Sequence, residues 1–124
     1  MFNIYLNEDD LRENSKYPVI ALLNEAANQN LVDFLNNLNQ NTGCGFDYTS
    51  AYFWDELDEY DKSQTEVFDG IRIETEAGEE VTVSLEEFSY YIGLLLERIG
   101  NNPDMDICRE LLRTFMKKHG VVKV

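Results

Sequence analysis

The feature that most constrains the fold is a change of period at Ser84. Upstream, the stretch EVFDGIRIETEAGEEVTVSL alternates: Val67, Ile71 and Ile73 share one face, with Phe68, Arg72 and Glu74 on the other. EAGEE supplies a short glycine-containing turn, and Val81, Val83 and Leu85 return in alternation. A period of two marks a strand with one buried face, so the segment predicts a β-hairpin over about 67–84. From Ser84 the apolar spacing becomes helical: Leu85, Phe88, Ile92, Leu95 and Ile99 form one stripe, closed by Gly100. Ser84 with Glu87 has the spacing of a capping box. One apolar hairpin face needs a cover, and helices must supply it.

Two further helical patterns are available. In YPVIALLNEAANQNLVDFLNNLNQ, Ile20, Leu23, Ala27, Leu31, Phe34 and Leu38 line one face, with Pro18 in the first turn. The asparagines of NEAANQN are poor helix formers, leaving open one long helix or two broken near Asn28–Asn30. NNPDMD opens the last helix, with Asn102 as cap, Pro103 at the first position and acids beside the positive dipole end. Met105, Cys108, Leu112 and Phe115 face inward there, and Lys117, Lys118 and His119 sit at the negative end. NIYL reads as a short strand or a lead-in to the first helix, and VVKV as a candidate edge strand. NTGCGFDYTSAYFWDELDEYDKSQ is loop-like, with a short helix or strand around Tyr52–Tyr60 left open.

The expected fold is therefore α+β. A small antiparallel sheet containing the hairpin packs with an N-terminal helix or helices and two C-terminal helices, with helices on both sides of the sheet. At 124 residues, with 44 % hydrophobic residues and 15 aromatic side chains, the chain is expected to be a single domain over 1–124.

The side chains present argue against most catalytic chemistries. His119 is the only histidine and stands apart from any cysteine pair, which disfavours zinc and a histidine-based triad. Cys44, in TGCGF, has no phosphate-loop glycines or lysine around it, and Cys108 lies on an apolar helix face. The acids of DELDEYDKSQTE lack the glycine and terminal glutamate of an EF-hand loop. No catalytic residue, metal or cofactor is expected. A small enzyme using paired carboxylates is the most distant alternative, since acids this abundant pair by chance.

Charge narrows the choice of partner. The net charge is −14, from 24 acids against 10 Lys and Arg. Such a surface repels phosphate backbones and anionic membranes, so neither direct nucleic-acid binding nor membrane binding is expected. No apolar run approaches the roughly 20 residues of a membrane span. MFNIYLNEDDLRENSK has no basic region followed by a long apolar stretch, so no secretory signal is expected. Two cysteines without an export signal predict free thiols and a cytoplasmic protein. The oligomeric state stays open.

Thirteen of the 24 acids fall between Asp55 and Glu87, against Lys62 and Arg72 alone. Aromatic residues are interleaved with them: Tyr52, Phe53, Trp54 and Tyr60. Interfaces place aromatic anchors centrally and charges at the rim, where acids steer a basic partner. The alternatives at Phe53 and Trp54 are core packing or interface. The expected binding residues are Trp54, Asp55, Glu56, Asp58, Glu59, Tyr60 and Asp61, with Asp69, Glu74 and Glu76 as a secondary patch.

The run VFDGIRIETEAGEEVTVSLEEFSYYIGLLLERI, Val67 to Ile99, resembles the immunity proteins of bacterial contact-dependent growth inhibition, in particular those protecting against ribonuclease toxins. The resemblance rests on a hairpin whose second strand leads into SLEEF and an aromatic-rich helix, about a quarter of the chain. It implies a cytoplasmic, non-enzymatic antitoxin that binds the C-terminal nuclease toxin domain of a delivered effector. Such a protein plugs the active site or excludes the RNA substrate from beside it. It carries over no binding residues position by position. The alternative is an acidic adaptor or regulatory subunit with a constitutive basic partner and no toxin.

Overall fold

The computed structural model, which describes residues 2–12, 15–101 and 103–121, divides the first helical pattern in two. Helix α1 (Tyr17–Asn28) has Pro18 in its first turn, and α2 (Leu31–Asn39) is capped by Asn30, whose side chain accepts the Asp33 N–H. The break falls in the asparagine-rich patch. There a cap gains more than a continuous helix of weak formers would.

Four antiparallel strands follow: β1 (Cys44–Gly45), β2 (Thr49–Tyr52), β3 (Ile71–Thr75) and β4 (Glu80–Val83), in the spatial order β1-β2-β3-β4. Between β2 and β3 lie a 3-10 turn (Trp54–Glu56) and the short helix α3 (Glu59–Gln64). Helices α4 (Leu85–Ile99) and α5 (Pro103–Lys118) complete the chain. The fold is α+β, as the period change at Ser84 requires.

Register sorts the sheet into two unlike faces. Ala51 lies opposite Ile73 and Ile73 opposite Val81, with Ile71 opposite Val83, and all five are buried. Helix α1 packs across this inner face, α2 and α4 pack against α1, and α5 closes against α2 and α4. Phe34, Phe88, Tyr91 and Phe115 fill the resulting core, with Phe34 and Phe88 edge to face at 6.2 Å. The long helices thus share one side of the sheet, and toward the other lies the short helical segment between β2 and β3. The outer rows, Tyr52–Arg72–Thr82 and Ser50–Glu74–Glu80, are too polar to need an apolar cover.

Local expectations are adjusted in the same way. The hairpin strands begin at Ile71, and Val67 is exposed rather than on the inner face. Gly70, at φ +88°, turns the chain into β3 with its Cα against the Val83 carbonyl, where no Cβ fits. Ser84 caps α4 by accepting the Glu87 N–H at 3.0 Å. The Glu87 carboxylate does not reciprocate as in a capping box; it pairs with Arg12 at 3.2 Å and accepts the Ser15 hydroxyl. Asn102 and the tail residues 122–124 lie outside the described residues.

NIYL forms no strand. Its backbone is clasped by α1 asparagines: Asn24 Oδ1 accepts the N–H groups of Tyr5 and Leu6, and Asn24 Nδ2 donates to the Leu6 carbonyl. Asn28 does the same for Asn3, at 2.8 and 2.7 Å. From the other side Arg98 on α4 donates to the Tyr5 carbonyl and to both Asp10 carboxylate oxygens. His119 packs on Phe115 with ring centroids 4.7 Å apart, and burial and nearby Lys118 push its pKa down. Lys118 reaches across to the Asn39 carbonyl that ends α2.

Candidate functional site

The segment between β2 and β3 folds back over the outer sheet face and builds an aromatic cluster there. Phe53 turns inward and joins the core, whereas Trp54 is half-buried on the outside, so the two alternatives for this pair divide between adjacent residues. Phe68 stands at the centre, edge to face with Trp54 at 5.7 Å and with Tyr52 at 5.8 Å. The two cations of the acidic band lie on these rings. The Arg72 guanidinium is 5.2 Å from the Phe68 ring, and Lys62 Nζ is 5.8 Å from the Trp54 ring. Arg72 also donates to Thr82 Oγ1 across the strand pair.

Glu56 fixes this arrangement. One carboxylate oxygen accepts the Phe53 N–H at 2.6 Å, and the other accepts the Gly43 N–H at 2.7 Å. The turn that carries Trp54 is thereby tied to the approach to β1. Asp58 caps α3 by accepting the Asp61 N–H at 2.8 Å. Both acids hold the scaffold, while Asp55, Glu59, Tyr60 and Asp61 are exposed around it and Asp69 is exposed in the turn before β3.

On the outer face Glu74 lies directly opposite Glu80. Like charges in that position destabilise a sheet. Burial and the Glu74 charge raise the Tyr52 pKa, so its hydroxyl keeps its proton. Cys44 beneath is pushed up to about 12 by burial and by the charges of Glu56 and Glu25, and Cys108 is raised by burial. Neither thiol is a ready nucleophile.

The expected residues divide into two groups. Trp54–Asp61 and Asp69 gather around the aromatic cluster, with Glu74 one row away. Glu76 is at the far end of the sheet, in the hairpin turn, where its N–H bonds the Tyr48 carbonyl. Phe68, Tyr52 and Arg72 belong to the cluster but were not among the expected binding residues. Their signal was present in the alternation that set Phe68 on the face of Arg72 and Glu74. Among the described residues no group of His, Cys, Asp and Glu is placed to hold a metal ion. No described helix is long and apolar enough to cross a membrane.

Searches among curated proteins and solved structures give no match. A family model described as CDI immunity protein, CDI being contact-dependent growth inhibition, matches residues 15–104. That span runs from the approach to α1 into the first turn of α5 and holds the whole sheet, the aromatic cluster and the acidic band. It covers well over half of the chain, so the protein belongs to the CDI immunity protein family.

Proposed function

We propose that this immunity protein neutralises the C-terminal nuclease toxin domain of its cognate effector, most simply a ribonuclease, by docking the outer sheet face onto it. The observation that carries this reading is the Trp54–Phe68–Tyr52 stack, left outside the helical layer and bordered by acids that include the facing Glu74–Glu80 pair. A like-charge pair is an expense in the free protein that a basic partner relieves. The aromatic rings supply a desolvated centre, and Asp55, Glu59, Tyr60, Asp61 and Asp69 supply the rim. Glu56 and Asp58 contribute by holding the cluster and α3 in place.

A nuclease must attract phosphate, so its cleft is basic and an acidic face competes for it. The protein acts by occupancy and not by turnover, needs no cofactor, and works in the cytoplasm of the cell it protects. Titration of the toxin domain encoded beside its gene, with an RNA-cleavage assay in parallel, tests the reading. Tight binding that silences cleavage and weakens with salt supports it; binding without loss of cleavage, or no binding, rejects it.

A further inference from the structure

A second surface lies at the other end of the sheet, on the α1 side. Of the eight large apolar side chains exposed among the described residues, four line one groove: Phe2, Ile4, Tyr17 and Tyr48. The groove encloses about 830 Å³ and is floored by Leu6, Ile20 and Ala21. Isolated exposed apolar residues are ordinary, but half of them gathered in one concavity marks an interaction site.

Hydrogen bonds hold both walls in place. The Asn24 and Asn28 clasps and the Arg98 bonds fix the segment that carries Phe2 and Ile4. Glu25, buried in α1, accepts the Tyr48 N–H and the Thr49 hydroxyl, which fixes the opposite wall. The rim is acidic, with Glu8, Glu76 and Glu79 exposed around it, and among the described residues no Lys or Arg lines the groove.

We infer that this groove is a second contact for the toxin domain, taking a projecting segment with an apolar side chain flanked by Lys or Arg. This rests on the reading that the partner is a basic toxin. Apolar walls suit the central side chain and the methylene stems of its neighbours, and the three glutamates receive the cationic heads. Tyr48 and Tyr52 are four residues apart on one strand path, about 13 Å. The groove opens on the α1 side and the aromatic cluster on the outer face, so a toxin domain that meets both reaches around the end of the sheet where Tyr48 leads into β2. Glu76, separated from the other expected residues, finds its place here.

The test uses the toxin domain encoded beside the gene as the probe, against wild type, the double variant Ile4→Ser with Tyr48→Ala, and Trp54→Ala. Both groove residues are exposed, so far-UV circular dichroism and the urea midpoint are expected to stay near wild type. The double variant is expected to bind about tenfold more weakly or worse. A benzophenone side chain placed at position 48 is expected to cross-link to a Lys- or Arg-flanked segment of the toxin. Wild-type affinity in the double variant, or no cross-link from position 48, overturns the groove while leaving the immunity reading intact if Trp54→Ala weakens binding. Failure of the wild-type protein to bind overturns both.

Discussion

The side chain of Asn24 pairs with the backbone of Leu6 as a neighbouring strand would, accepting its N–H at 3.1 Å and donating to its carbonyl at 2.9 Å. Leu6 is buried, so these polar groups have no water to turn to. Asn24→Leu is expected to destabilise the fold by about 3 kcal/mol, because it orphans buried donors and an acceptor together. Urea denaturation of the variant checks this, and an unchanged midpoint contradicts it.

Phe53 and Trp54 are adjacent, and their substitutions should separate stability from binding. Phe53→Ala empties a core position and is expected to cost about 3–4 kcal/mol of stability. Trp54→Ala is expected to leave the melting temperature within a few degrees, yet weaken toxin affinity about thirtyfold, near 2 kcal/mol. Paired melting and binding measurements on the two variants decide the matter. Equal effects of both on stability would remove Trp54 as an anchor.

The acids around the cluster divide by what their oxygens already do. Glu59→Lys with Asp61→Lys is expected to slow association and flatten its salt dependence without changing stability, as rim charges do. Asp58→Lys would also remove the cap of α3, so Asp58→Asn is the variant that isolates charge there. Glu56→Ala is expected to cost about 2 kcal/mol of stability through its two lost backbone bonds. Stopped-flow association at two ionic strengths, with urea midpoints, separates these outcomes.

The Asp10–Arg98 pair sets an acid limb. Arg98 and the Asn7 N–H hold Asp10 at about 2, below its ordinary 3.8, so the unfolded chain takes up this proton first. The contribution is complete above the unfolded value and is lost as pH falls from about 4 through about 2. Asp10→Asn is therefore expected to lower the urea midpoint at pH 7, with the difference from wild type closing near pH 2. A difference that persists at pH 2 would place the effect elsewhere.

Cys44 and Cys108 are expected to resist alkylation at pH 8 in the folded protein and to react together once urea unfolds it. Burial raises both, and Glu56 contributes at Cys44. Glu56→Gln is expected to speed alkylation of Cys44 relative to Cys108, which peptide mass mapping would read.

Elements written in local patterns were legible before the fold was known. Ser84, the β3–β4 alternation and the α4 stripe depend on neighbours a few residues away, whereas the asparagine patch left one helix or two open until the Asn30 cap of α2 decided it. Strands β1 and β2 were not legible, because CG and TSAY are short: TSAY takes its identity from pairing with Ile71–Thr75, twenty or more residues on, and CG from pairing with TSAY. Val67 fitted the alternation by number alone; the turn at Gly70 removes it from the strand. The acids of the candidate site were visible as composition, but which of them are occupied as clamps and caps is a matter of geometry. The groove was hidden for the same reason, since Phe2, Ile4, Tyr17 and Tyr48 come from three separate segments.

The most direct test of the account is calorimetric titration of the toxin domain encoded beside the gene, at low and at moderate salt, with RNA cleavage assayed on the same samples. Nanomolar or tighter binding that weakens with salt, abolishes cleavage and is lost in Trp54→Ala is the predicted result. Salt-independent binding, unaffected by Trp54→Ala or by reversal of Glu59 and Asp61, would contradict the claim that the outer sheet face meets the toxin.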